Sequence, residues 1–268
     1  MSKGVNGPAW RNSLRRTSAA ALVPCLALCL LPFALSLRSS ARAQALRLSD
    51  DRETPPRAVV QLLAVGPGVG DKNRECSATG FLVNEAGYIL TNAHVVEEAR
   101  HCLAVSAEGK IVAKFAGSGS RAEAVSCDVV GTDEAHDLAV LKLERLPAGE
   151  GRVDFVVLDA REVGEGTPVA VTGHSASTWQ PTTERGNVIR HVPLALNESS
   201  SEKTEVLILN IPLRRGASGS PVYLLSGSAV VGVVSRQNPS RPAETVAVPV
   251  RYSIELLNRL GVRWHVSE

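Results

Sequence analysis

Between residues 58 and 248 the sequence is a succession of short apolar runs, most of them closed by Gly, Asn, Asp, Ser or Pro. No other feature constrains the fold as much. The runs occupy residues 58–65, 80–83, 88–90, 103–105, 125–130, 138–143, 155–158, 168–172, 206–211, 222–225, 230–234 and 245–248. Such lengths suit strands rather than helices, and strands spaced this evenly predict an all-β sandwich or barrel. Helical periodicity is confined to two places. Residues 95–100 allow one turn directly after His94. Residues 253–261 offer a Ser cap, apolar side chains at helical spacing and a closing Gly261, a short C-terminal helix. Pro147, Gly149 and Gly151 mark a linker at residues 147–152, with six runs on either side. Two similar β units are therefore expected, 58–146 and 153–268, with a cleft between them.

The first 43 residues differ in kind. Lys3, Arg11, Arg15 and Arg16 precede an apolar stretch over residues 19–37, and Ala41-Arg42-Ala43 ends it. A basic head, an apolar middle and a small-x-small end describe a secretory signal peptide at 1–43. Ala43-Gln44-Ala45 supports cleavage after Ala45 equally well, and Arg15-Arg16 leaves a twin-arginine route open. The stretch nearly reaches bilayer length, but Pro24 and Pro32 interrupt it, so no stable membrane insertion is expected after cleavage. Residues 44–57 read as an exposed lead-in, and the location as periplasmic or secreted.

Removing the signal reverses the charge. It holds six of the 29 Lys+Arg and none of the 27 Asp+Glu, leaving 23 basic against 27 acidic residues. The net charge of −4 gives no basic patch for nucleic acid. Cys25 and Cys29 leave as well, so Cys76, Cys102 and Cys127 remain. Three thiols in an oxidising compartment imply one disulfide and one leftover. No C-x-x-C or H-E-x-x-H occurs, so neither a metal site nor a cofactor is expected. Nothing in the sequence speaks to oligomeric state.

The chemistry converges on three stretches. Arg215-Gly216-Ala217-Ser218-Gly219-Ser220-Pro221 is a small-residue turn between apolar runs, able to expose a serine hydroxyl while aiming backbone N–H groups at one point. Thr91-Asn92-Ala93-His94 ends an apolar run with a histidine, and Asp137 heads another. Singly, these are a Gly/Ser loop, a packed histidine and a strand-start carboxylate. Together they give the order His, Asp, Ser, which excludes subtilisin-like and α/β-hydrolase chains.

Three segments resemble the trypsin-like serine proteases, above all the bacterial HtrA/Deg-type protease domain. They are Gly80-Phe81-Leu82-Val83 through Thr91-Asn92-Ala93-His94-Val95-Val96, Asp137-Leu138-Ala139-Val140-Leu141-Lys142, and Gly216-Ala217-Ser218-Gly219-Ser220-Pro221. Gly232-Val233-Val234-Ser235 resembles the strand beside the substrate. The resemblance implies two six-stranded antiparallel β-barrels of the chymotrypsin-like kind, with a short C-terminal helix. It implies a Ser218 nucleophile, a His94 base, Asp137 as its orienter, and Gly216 and Ser218 N–H groups as oxyanion hole. Ser235 would bond Asp137. The substrate would be a protein or peptide, cleaved through an acyl-enzyme. The alternatives are a catalytically silent protein of the same fold and a general acyl hydrolase.

The departures from the family pattern are informative. Ser220 replaces the second of two usual glycines, and with seven residues after Gly261 no PDZ domain is expected in this sequence. His136, the neighbour of Asp137, is expected to point to the opposite face, and His101, His174, His191 and His265 to be structural or surface residues. Pro212 falls where trypsin-type members carry the pocket aspartate, and Gln237 where open-pocketed members have glycine. Small or medium aliphatic residues are therefore expected before the scissile bond. Many members bridge the strand before the catalytic histidine to the loop after it, which implies a Cys76–Cys102 disulfide. Cys102–Cys127 is the alternative, and Cys127 otherwise turns inward.

Overall fold

The computed structural model describes residues 56–66, 76–103, 109–115, 123–147, 153–176, 180–197 and 202–266. The expected signal at 1–43, nearly all of the lead-in and residues 148–152 of the expected linker lie outside them. Among the described residues, β1 (Val59–Val65), β2 (Ser77–Leu82), β3 (Tyr88–Thr91), β4 (Lys110–Phe115), β5 (Ala124–Asp133) and β6 (Leu138–Leu143) close a barrel in the order β1-β2-β3-β6-β5-β4. A second barrel closes as β10-β11-β12-β9-β8-β7, from β7 (Pro168–Gly173), β8 (Thr182–Leu194), β9 (Thr204–Leu209), β10 (Pro221–Leu224), β11 (Val230–Gln237) and β12 (Thr245–Pro249). Every pairing between these strands is antiparallel. Among the described residues two α-helices, α1 (Ala93–Leu103) and α2 (Val250–Arg259), and a short 3-10 turn at Pro56–Ala58 complete the fold.

Alternation of side chains explains why the central strands read as unbroken apolar runs. In β6, Ala139 and Leu141 face the interior of the first barrel, while Leu138 and Val140 join a cluster with Phe81, Tyr223, Val233 and Val248 between the barrels. In β9, Leu207 and Leu209 line the second barrel, and Val206 and Ile208 turn to that same shared cluster. Both faces of these strands are buried, so neither tolerates polar side chains. Leu256 and Leu257 of α2 close the shared cluster from the side.

Where the fold departs from the apolar pattern, burial gives the reason. Residues 155–158 form no strand. Val156 and Leu158 are buried in the passage from one barrel to the other, where Val156 N–H donates to Leu82 C=O at 3.0 Å and Asp159 N–H to Val230 C=O at 2.9 Å. Of the run at 103–105, Leu103 ends α1 and the rest lies outside the described residues. Strands β4 and β8 correspond to no apolar run because most of their residues are at least partly exposed. The helix after His94 is eleven residues long rather than one turn. Helix α2 starts at Val250, with Pro249 and not Ser253 at its N-cap, and Ser253 is buried inside it. Its end is as expected, with Gly261 at φ 67°.

Candidate active site

His94 lies in the first turn of α1, one turn-residue pair beyond the end of β3. Its backbone N–H donates to Asp137 Oδ1 at 3.1 Å, and its Nδ1 lies 2.9 Å from both carboxylate oxygens. With Nδ1–H committed to a carboxylate, Nε2 is left with the lone pair. Burial of the ring lowers its pKa, and this is the largest single influence. The Asp137 hydrogen bond and charge together outweigh it, so the net shift is upward from 6.5.

Asp137 is buried in the turn between β5 and β6 with φ 53°, a left-handed conformation that aspartate adopts more readily than most residues. Two groups hold it there. Asn92 Nδ2 donates to its carbonyl at 2.9 Å. Ser235 Oγ donates to Oδ2 at 2.6 Å. Ser235 is carried by β11, whose pairing with β12 slips between Val234 and Arg236. That bulge re-aims the serine across the barrel junction. His136 stays out of the site, bonded to Asp133 and stacked on Tyr252 with ring centres 4.1 Å apart.

Ser218 sits in the turn before β10 and lines one cleft of about 270 Å³ with His94, Gly216, Leu213, Val234 and Gln237. Arg215 C=O is held by Ala176 N–H at 3.0 Å, and Ala217 C=O by Ser220 N–H at 3.0 Å. Because C=O and N–H of a trans peptide point opposite ways, Gly216 N–H and Ser218 N–H face away from those partners. Neither donates to another group among the described residues. Gly216 (φ 98°) and Gly219 (φ 82°) take up the left-handed conformations the turn demands. A Cβ on Gly219 would overlap Thr79 C=O and the Thr91 hydroxyl.

The remaining expected residues divide. Gln237 lines the cleft and is tethered through Nε2 to Pro242 C=O. Pro212 does not line it. It faces a neighbouring cavity of about 260 Å³ with Val171, His174 and Thr182, and Leu213 and Arg214 reach both spaces. The Cys76–Cys102 disulfide is present, with Cα atoms 6.6 Å apart, and it ties the start of β2 to the end of α1. Cys127 is buried and free, its thiol pushed up by burial to about 12. Two residues of the site, Thr79 and Arg236, lie in none of the sequence motifs, and Thr91 and Asn92 belong to the histidine motif without a role being readable from it. Arg236 lines the cleft, lowers the His94 pKa by its charge and donates to Leu196 and Ala195 carbonyls at 3.0 and 3.2 Å.

A family model for the trypsin-like peptidase domain matches residues 78–233. The chain belongs to this family. Among curated relatives, proteins named "Probable periplasmic serine endoprotease DegP-like" are 26% identical over 210 residues in Pseudomonas savastanoi pv. phaseolicola and 28% identical over 207 in Pseudomonas fulva. The matches cover 75% of this chain but 39% and 38% of those relatives, so the chain spans well under half their length. Solved structures share the fold. Deg5 is 21% identical with a TM-score of 0.59, over 84% of this chain and 98% of its own. The active form of the Rv3671c protease from Mycobacterium tuberculosis is 18% identical with a TM-score of 0.58, over 96% and 97%.

Within the family pattern, Ser220 is the departure that needs an account. It is completely buried, and Gly173 opposite leaves the room, since a Cβ there would overlap the Ser220 hydroxyl. Away from the cleft, Glu162, His191 and Glu205 bring ligand-type atoms within 4.8 Å of one another. Two of the three, His191 and Glu205, are already engaged. His191 Nε2 donates to Val163 C=O at 2.7 Å, and Arg251 pairs with Glu205 at 2.8 Å. No described helix is long and apolar enough to cross a membrane.

Proposed function

We propose that the chain is a serine endopeptidase of the periplasm or the secreted space, hydrolysing peptide bonds through a Ser218 acyl-enzyme. One observation carries the reading: the hydrogen-bond chain from Ser235 through Asp137 to His94 ends at the cleft that Ser218 lines, where the Gly216 and Ser218 N–H groups have no acceptor among the described residues. His94 Nε2 takes the Ser218 proton as the hydroxyl oxygen attacks the scissile carbonyl. Asp137 keeps the imidazole in the productive tautomer and stabilises the imidazolium. The carbonyl oxygen gains charge between Gly216 and Ser218 N–H, where one such donor is typically worth about 3–4 kcal/mol of barrier. The imidazolium then protonates the departing amine. Water, activated by the same histidine, releases the acyl group.

For specificity, Leu213 and Val234 supply apolar walls and Gln237 narrows the mouth. Small or medium aliphatic side chains before the scissile bond fit this lining. Mass spectrometry of cleaved peptide libraries reads the preference directly, and a dominant preference for Arg, Lys or Phe contradicts it. The activity itself is tested with a fluorophosphonate probe on the chain beginning at residue 44. Covalent labelling of the unsubstituted protein, abolished in Ser218→Ala with its melting temperature unchanged, is the expected outcome. An unlabelled, folded protein would make the chain a silent member of the fold, and hydrolysis of simple esters but not peptides would make it a general acyl hydrolase.

A further inference from the structure

Thr79, in the middle of β2, is completely buried and belongs to the first barrel. Its partners are almost all in the second. Its backbone N–H donates to Ser218 C=O at 2.9 Å. Its hydroxyl donates to Gly216 C=O at 2.8 Å and accepts from His174 N–H at 2.9 Å. Its own carbonyl accepts the Thr91 hydroxyl at 2.8 Å, three residues before His94. Gly216 and Ser218 are the two residues whose N–H groups face the cleft unpaired among the described residues. The carbonyl of each is therefore pinned by the same threonine.

We infer that Thr79 is a positioning residue, setting the orientation of both oxyanion-hole donors from across the barrel junction. The inference rests on the proposed serine hydrolase chemistry and deepens it. Orientation is at stake because Gly216 occupies φ 98°, where a glycine has more freedom to rotate its flanking peptides than any other residue. The only side-chain hydrogen bond to its carbonyl among the described residues comes from Thr79. Gly216 N–H belongs to the preceding peptide, held at Arg215 C=O by Ala176 N–H, and the Thr79 hydroxyl fixes the following peptide, so the two bonds together set the backbone angles about Gly216 that aim its N–H at the developing oxyanion. Ser218 has no such freedom, but the Thr79 amide holds it at a fixed height above β2.

A hydroxyl is needed, and the shape alone does not suffice. Thr79→Val keeps the volume and the amide but removes the bond to Gly216 C=O. Thr79→Ser keeps the bond and loses a methyl. The measurement is kcat and KM on a cleaved peptide, with the inhibition constant of the matching peptide aldehyde, whose hemiacetal oxygen occupies the oxyanion position. Thr79→Val is expected to lower kcat about 10- to 100-fold and to weaken the aldehyde by the same factor, with KM within about threefold, since one donor is misaligned rather than deleted. Thr79→Ser is expected to stay within about threefold of the unsubstituted protein in all three. Where Thr79→Val does not fold, Thr79→Ala is read in its place. Folded variants with unchanged kcat and aldehyde affinity would overturn the inference, as would equal losses in Thr79→Ser and Thr79→Val. Loss of folding in both Val and Ala would also overturn it, because Thr79 would then be a residue of stability. Absence of hydrolysis and of fluorophosphonate labelling in the unsubstituted protein is a different failure, that of the proposed function.

Discussion

Asp137 shows how much one side chain decides in this site. Its carboxylate receives the His94 amide, the His94 ring and the Ser235 hydroxyl at once. Asp137→Asn preserves the volume but presents an N–H₂ to Nδ1, which favours the tautomer with Nε2 protonated. A loss of about 10⁴ in kcat is expected, measured by peptide hydrolysis against a Ser218→Ala blank. The same carboxylate governs pH dependence. The His94 pKa lies above 6.5, so the neutral base accumulates only as pH rises through that raised value, and activity should fall on the acid side of it. Stability has the opposite dependence. The His94–Asp137 pair contributes fully below pH 6.5, and the contribution is lost as pH rises through the raised pKa. In Asp137→Asn only burial remains dominant, and the labelling rate should keep its plateau to lower pH than in the unsubstituted protein. A plateau that moves upward would contradict this account. Of these residues, His94, Asp137 and Ser218 were legible because three motifs in a fixed order are specific. Asn92 and Thr79 were not, because a buried Asn or Thr looks the same in sequence whether it bonds a strand neighbour or a site on another barrel.

Helix α1 and strand β2 deliver most of the first barrel's share of the site, and the Cys76–Cys102 bridge joins them. It closes a loop of sequence separation 26 that contains His94. On the chain-entropy account such a loop is worth about 3–4 kcal/mol. Replacing both cysteines by serine should lower the urea-derived stability by that amount while leaving the labelling rate of the folded protein nearly unchanged, because His94 sits eight residues from Cys102 at the opposite end of α1 and is fixed by Asp137. A labelling rate that collapses with the disulfide would show that the bridge positions the base. At this scale the sequence was readable wherever both faces of a strand are buried. Strands β4 and β8 escaped notice because their exposed faces mix polar with apolar residues, and residues 155–158 misled because a buried crossing needs the same side chains as a buried strand.

The proposed chemistry requires the two barrels to hold a fixed relation, since Asp137 and His94 come from one and Ser218 and Ser235 from the other. Phe81 and Leu62 separate that requirement from stability alone. Both are essentially inaccessible, but Phe81 packs in the cluster between the barrels and Leu62 inside the first. Phe81→Ala should cost about 3–5 kcal/mol and Leu62→Ala about 2–5 kcal/mol, each a large part of a typical domain's stability. Only Phe81→Ala should also slow fluorophosphonate labelling of the protein that remains folded, and equal labelling in the two variants would argue against coupling through the junction. The sequence by itself determined the all-β class, two β units and a C-terminal helix, and it singled out the three side chains of the proposed triad. It could do so because burial on both strand faces and turn chemistry leave local marks. The Ser235–Asp137 bond was expected from the resemblance, but tertiary structure alone decided that a bulge accompanies it, that Gly173 makes room for Ser220, that Leu213 rather than Pro212 faces the cleft, and that Thr79 spans the junction. Each of those depends on residues distant in sequence meeting at one point, and periodicity along a single segment carries no record of such a meeting.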